Sequence, residues 1–303
     1  MKYKVPVTAF ISETEKKLSS SYLDKTLCNQ YAWWILEAIT FQKKSDLIIA
    51  QTIELTQDQS DKIDDWLDKL INKHMPLQYL IGFVPFNGVT IFVEPPVLIP
   101  RPETEEWCTT LIKQFELLQD KNIKILELCT GSGCIALALA KALPESSIIA
   151  TDISTEALAL AEKNARHNNI KNIQVVRSDV YDKIPEEQQF DLIVANPPYI
   201  AESEWGMLDT SVKEWEDKQA LVADEAGLNI IKRIISDAPA RLQSKQEKIP
   251  QLIIEIGYTQ GQKVRNLFEK AGFIDVQILT DLEKKERVVT GRMPNEMDTG
   301  NNR

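Results

Sequence analysis

Arginine is missing where a nucleic-acid clamp would use it: none occurs before Arg101, and the 303-residue chain has a formal net charge of -10. Lacking bidentate guanidinium groups in its amino-terminal part, the chain is not expected to draw its main affinity from phosphate contacts or to bind nucleic acid directly. Histidine is limited to His74 and His167, and the four cysteines, Cys28, Cys108, Cys129 and Cys134, show no C-x-x-C spacing. No metal is expected from so few ligands, and without a disulfide framework a reducing compartment is the simpler reading. No apolar run approaches the ~20 residues that cross a bilayer, and Met1-Lys2-Tyr3-Lys4-Val5-Pro6 leads into polar sequence without a signal-peptide core. A cytoplasmic protein without membrane attachment is expected.

What is present begins with helical patterning. Residues 23–39 and 45–53 read as helices, and 57–73 most clearly so: Ile63, Trp66, Leu67, Leu70 and Ile71 share one face, while Asp61, Asp64, Asp65 and Asp68 populate the rest. Trp33, Trp34 and Trp66 are expected to pack inward, with one of the adjacent pair facing out. Residues 80–92 read as a hairpin turned by Asn87-Gly88, after which Pro95, Pro96, Pro100 and Pro102 impose a stiff, extended course. From there helices alternate with short apolar strands, as in a parallel sheet: helices at 103–118, 154–168, 228–241 and 260–271, and closing strands at 251–256, 276–279 and 287–290.

The chemistry concentrates at two strand ends. Lys124 to Leu128 forms an apolar strand that runs into Cys129-Thr130-Gly131-Ser132-Gly133 and then into a helical pattern, which is the strand, tight turn and helix of a nucleotide site. A second strand, 147–152, ends at Asp152, where such folds place an acceptor for ribose hydroxyls. The turn has Ala136 in place of a third glycine, and Glu127 just before it would repel a diphosphate but help hold the cationic amino-acid moiety of S-adenosylmethionine, indirectly or through water. A third strand, 173–177, leads to Asp179 and Val180, which are placed to hold an adenine; taken alone, Asp179 is equally a solvated strand-end residue.

The apolar run 190–195 stops at Asn196-Pro197-Pro198-Tyr199. Two prolines after the Asn forbid both a continued ladder and an immediate helix, leaving a rigid, exposed backbone. The Asn196 side-chain oxygen and the Pro197 carbonyl can there accept both hydrogens of one –NH2 group, aiming the lone pair of an otherwise poor nucleophile at an electrophile. By itself Asn-Pro-Pro is more often a turn that caps a strand end; the cofactor turn upstream is what favours the functional reading.

In this order, the motifs resemble the peptide chain release factor N5-glutamine methyltransferase (HemK/PrmC) family of class I methyltransferases. Besides the glycine turn and Asn196-Pro197-Pro198-Tyr199, the chain carries Pro76-Leu77-Gln78-Tyr79-Leu80-Ile81-Gly82 and Leu98-Ile99-Pro100-Arg101-Pro102-Glu103-Thr104-Glu105. The second Pro after Arg101 separates the release-factor branch from the related ribosomal-protein glutamine methyltransferases. The resemblance implies an α/β fold, a Rossmann-like, mainly parallel seven-stranded sheet behind a small N-terminal helical bundle. It divides the chain into a substrate-docking domain (1–76), a hairpin and Pro-rich linker (77–102), a methyltransferase domain (103–292) and a disordered tail (293–303).

It further implies that S-adenosylmethionine lies against Cys129, Thr130, Gly131, Ser132, Gly133, Asp152, Asp179, Val180 and Asn196. Asn196 and Pro197 would act on the substrate amide, with Pro198 and Tyr199 shaping its pocket and the Pro-rich segment forming one wall. Cys129 stands where the family often has Gly. The implied partners are class I release factors, methylated on the glutamine of Gly-Gly-Gln; the alternatives are a DNA or RNA amino-methyltransferase and a ribosomal-protein glutamine methyltransferase.

Overall fold

Short apolar strands separated by glycine and proline assemble into one seven-stranded sheet in the computed structural model, which describes residues 2–117, 122–243, 249–295 and 298. The chain divides into two units, Met1–Gly82 with Asp209–Trp215, and Phe83–Leu208 with Glu216–Arg303. The sequence reading places this boundary at residue 76, and the short helix Leu77–Ile81 belongs with the first unit.

The first unit is helical. Asp24 caps the helix Lys25–Thr40, its carboxylate accepting from the Thr26 amide at 2.7 Å. Thr56 and Gln59 form a reciprocal capping box at the start of Gln57–Asn72, whose Ile63, Trp66, Leu67 and Leu70 are buried. Trp33 and Trp34 are half-buried against the same core, and Trp34 stacks on Tyr31. Helix Val7–Leu18 has no counterpart in the sequence reading, and two expected elements differ in extent. The helix expected over 45–53 is Lys44–Ala50, because Ile53 belongs to strand β2 (Thr52–Thr56), antiparallel to β1 (Lys2–Pro6). The hairpin is also shorter than expected, β3 (Phe83–Phe86) pairing with β4 (Val89–Phe92) around Asn87 and Gly88, at φ 42° and 79°.

In the second unit β5 (Lys124–Leu128), β6 (Ser147–Asp152), β7 (Ile173–Arg177), β8 (Leu192–Ala195) and β9 (Leu252–Glu255) run parallel. The sheet closes with β10 (Ile274–Thr280) and β11 (Glu286–Arg292), both antiparallel to their neighbours, in the order β10-β11-β9-β8-β5-β6-β7. This is the expected Rossmann-like fold. Ile231, Ile234 and Ile235 of helix Asn229–Asp237 and Val264 and Phe268 of helix Gly261–Lys270 pack with Leu126, Ile193 and Ile254 of the sheet. The helix expected to reach residue 241 ends at Asp237, since Pro239 allows only a 3-10 turn beyond it. Helix Pro102–Glu116 covers the next expected one, whose last residue, 118, lies outside the described residues.

The hairpin is held by side chains that imitate a strand. Along helix Thr155–His167 and just past its end, Asn164 and Asn168 each take one amide and one carbonyl from β4: Phe92 with Asn164, and Thr90 with Asn168. Of the expected tail, residues 293–295 and 298 are described, and there Asp298 accepts from Arg292 at 2.5 Å and from the Asn295 amide at 3.1 Å; the others lie outside the described residues. No helix among the described residues is long and apolar enough to cross a membrane.

Candidate active site

The topological switch lies between β5 and β8, because the chain runs outward through β6 and β7 and returns on the other side of β5. Open α/β sheets bind ligands in the crevice this leaves at the carboxyl ends of the strands. A cavity of about 660 Å3 opens there, inside the roughly 300–1,000 Å3 range of small-molecule sites.

Strand register delivers the residues that line it. Leu128 pairs with Thr151 on one side and Ala195 on the other, and Ala195 pairs with Ile254. The next positions on these strands, Cys129, Asp152 and Asn196 on the cavity wall and the buried Glu255 off it, therefore stand abreast at the tips. Cys129 takes φ 58°, the left-handed region that favours glycine, and burial pushes its thiol well above the usual range. Gly131 takes φ 55°, and a Cβ built on it meets nothing within 4 Å. Its backbone is thus bare on the cavity side.

Asp152 ties two turns together, accepting from the Gly131 amide at 2.8 Å on one oxygen and from the Ser154 amide at 3.0 Å on the other. Each oxygen keeps a lone pair, and the side chain lines the cavity. Burial raises its pKa, opposed by those backbone bonds. Asp179 and Val180 also line the cavity. Val180 has φ 50°, an outlier for a β-branched residue, held by Ser178, which donates to the Val180 carbonyl at 2.9 Å and accepts from the Lys183 amide at 3.0 Å. Asp179 is bound by Arg233 at 2.9 Å. With the two side chains 39% and 41% exposed, that pair positions more than it stabilises. Arg233 escaped the sequence reading, as a cation next to Lys232 on an amphipathic helix looks like any solvated one.

Three turn residues lie behind the cavity instead of on its wall. Thr130 is buried and donates its hydroxyl to Glu127, the Ser132 carbonyl accepts from Asn164 at 2.9 Å, and a Cβ on Gly133 would meet Ala161 at 3.1 Å. Glu127 is likewise turned into the core. One of its oxygens accepts from Thr130 and from the Ala136 amide, the other has no partner among the described residues, and burial pushes its pKa up to about 8.

At the tip of β8, Asn196 and Pro198 line the cavity and Pro197 is buried. Asn196 Nδ2 donates to Thr104 Oγ1 at 3.4 Å; among the described residues neither Asn196 Oδ1 nor the Pro197 carbonyl accepts a hydrogen bond. The Tyr199 hydroxyl lies 3.4 Å from Glu255 Oε1, and its carbonyl accepts from Gln260 Nε2 at 2.9 Å.

The PrmC N-terminal domain model matches residues 11–82 and the Methyltransferase small domain model residues 107–214. The chain is 39% identical over 239 residues to the release factor glutamine methyltransferase of Lactococcus lactis, covering 78% of this chain and 84% of that one. It is 37% identical over 259 residues to the Escherichia coli enzyme of the same name, covering 85% and 90%. The chain belongs to the release factor glutamine methyltransferase family. The fold itself recurs more widely, as in the hMettl16 catalytic domain solved with the MAT2A 3'UTR hairpin 6, with TM-score 0.54 at 16% identity, covering 80% of this chain and 84% of that one.

In this family member two further stretches of the wall come from segments distant in sequence. Pro96, Val97 and Leu98 line one side, with Asp217, Lys218 and Gln219 beside them. The Asp217 amide donates to the Pro96 carbonyl at 2.8 Å, and Arg101 meets the buried Glu216 at 2.5 Å. Arg101 thus fastens the Pro-rich segment and has no place among the groups on the cavity wall. No cluster of His, Cys, Asp and Glu fit to hold a metal occurs among the described residues.

Proposed function

We propose that this protein transfers a methyl group from S-adenosylmethionine to the side-chain amide nitrogen of the glutamine in the Gly-Gly-Gln motif of class I peptide chain release factors, in the cytoplasm. The observation that carries the reading is Asn196, set at the tip of β8 on the cavity wall with Oδ1 unengaged, in a chain of this family. The cavity suits the cofactor: Asp152 offers carboxylate lone pairs for a ribose diol, Gly131 a bare backbone for close approach, and Asp179 and Val180 a polar and an apolar contact for adenine.

Bound S-adenosylmethionine supplies an electrophilic methyl carbon with a thioether as leaving group. Asn196 Oδ1 and the Pro197 carbonyl take the two N–H bonds of the substrate carboxamide. That direction points the nitrogen lone pair at the methyl carbon and sets two negative dipoles where positive charge develops. Transfer to that nitrogen would form the C–N bond as the S–C electron pair goes to sulfur, and the alkylated nitrogen, then acidic, would release its proton to water. No side chain has to act as a base beforehand. Pro198 and Tyr199 shape the pocket, and the helical unit is assigned to holding the release factor.

The test is release factor incubated with labelled cofactor, followed by mass spectrometry of its Gly-Gly-Gln peptide. Asn196→Ala is expected to lower kcat by about a hundredfold or more, the scale of losing one preorganised oxyanion-type partner, while cofactor Kd changes little. Retained turnover refutes the role of Asn196. Labelling of DNA or RNA in place of the peptide refutes the substrate.

A further inference from the structure

A carboxamide has two ends of nearly equal shape, and only one end of Asn196 serves the transfer described above. If Nδ2 faced the substrate, two N–H donors would oppose each other and the glutamine would be repelled from its reactive direction. We propose that Glu255, acting through Thr104, fixes the amide of Asn196 with its oxygen toward the cavity; this inference rests on the reading of Asn196 given above.

The strand register sets the pieces. Ala195 lies opposite Ile254, so Glu255 ends β9 beside Asn196. Thr104 and Trp107 stand three residues apart on helix Pro102–Glu116, so they share a face, and both donate to the same oxygen of Glu255, each at 2.7 Å. All three side chains are buried, with Thr104 1% and Glu255 3% exposed.

A threonine hydroxyl has one proton. In this arrangement it is committed to Glu255, with Trp107 fixing the same oxygen as an acceptor, and only lone pairs of Thr104 Oγ1 remain to face Asn196. Only a donor is tolerated there. Asn196 must therefore present Nδ2, which it does at 3.4 Å, and its oxygen is left for the substrate. Tyr199 completes the link by placing its hydroxyl against the other oxygen of Glu255. Neither Thr104 nor Glu255 touches a reacting atom; both are positioning residues.

The experiment compares Thr104→Val, Thr104→Ser and Asn196→Ala in the full chain, measuring kcat, KM for release factor and cofactor Kd. Thr104→Val keeps the shape but removes the hydroxyl, so the amide of Asn196 is free to reverse. It is expected to lose at least tenfold in kcat with KM and cofactor Kd within twofold, while Thr104→Ser restores kcat to within threefold of the parent. Thr104→Ala carries the same expectation as the valine variant and stands in for it where that variant does not fold. A kcat for the hydroxyl-free variants within twofold of the parent overturns the proposal, as does a serine variant no better than valine, or a fall in cofactor affinity matching the fall in kcat. If Asn196→Ala keeps turnover, the reading of Asn196 itself is lost; if it is inactive while the Thr104 variants are fully active, only the positioning role is lost.

Discussion

The carbonyl oxygen of Tyr199 sits where Gly227 would carry a side chain: a Cβ built on Gly227 meets it at 1.9 Å. Gln260 closes the same corner from a third direction, its amide donating to the Tyr199 carbonyl at 2.9 Å and the Ala226 carbonyl at 3.2 Å, while its oxygen accepts from the Gly257 amide at 2.9 Å. Gly227 ends a run of three left-handed residues, with φ 55°, 57° and 80° at Glu225, Ala226 and Gly227. The loop that leaves β8 through Asn196 is thereby backed by a glycine and a buried glutamine.

Gly227→Ala is expected to destabilise the fold by about 2–5 kcal/mol, combining left-handed strain with an overlap that only backbone movement relieves. Thermal unfolding gives the stability, and kcat should fall further than that of a control of equal stability loss placed away from Tyr199. An unchanged melting temperature would show that the contact is readily relaxed.

Asp152→Asn is expected to weaken cofactor binding about 10–100-fold, or ~1.4–2.7 kcal/mol. An asparagine has one acceptor oxygen where Asp152 uses two, so either the Gly131 or the Ser154 amide would face an –NH2 group. Titration calorimetry with S-adenosylmethionine reads the effect directly. A Kd equal to that of the parent would remove Asp152 from the cofactor site.

Glu127 makes stability depend on pH. Burial raises its folded pKa from 4.5 to about 8, so the folded state holds a proton that the unfolded chain releases above about 4.5. Its contribution is full below pH 4.5 and is lost as pH rises through about 8, with a slope of up to ~1.4 kcal/mol per pH unit between them. Glu127→Gln cannot ionise, and it should flatten the fall in melting temperature between pH 5 and 8 relative to the parent. Parallel profiles for the two proteins would show that Glu127 stays charged.

The parts of the site that were legible in the sequence are those written in local backbone chemistry. Prolines after Asn196 stop β8 at the switch point, Gly131 bares the turn after β5, and Asp152 ends β6; each is announced by its own neighbours. Glu127 shows what local reasoning cannot place. Its position before the turn suits an indirect or water-mediated contact with the cofactor's cationic moiety, and the fold turns its side chain into the core, where it ties Thr130 to the Ala136 amide. The ladder of β1 with β2 was missed for a related reason. Ile53 extends an apolar run that reads as helix, and only pairing with Val5 makes it strand.

By itself the sequence determined the alternation of helix and strand, the two turns that end β5 and β8, the acidic charge of the chain and the absence of arginine from its amino-terminal part, because periodicity, Gly and Pro act over a few residues. The tertiary structure decided which polar groups meet: Thr104 with Glu255, Gln260 with the Tyr199 carbonyl, Arg233 with Asp179, and Arg101 with Glu216. These partners lie tens of residues apart or more, and the match depends on strand order and register, which no local pattern encodes.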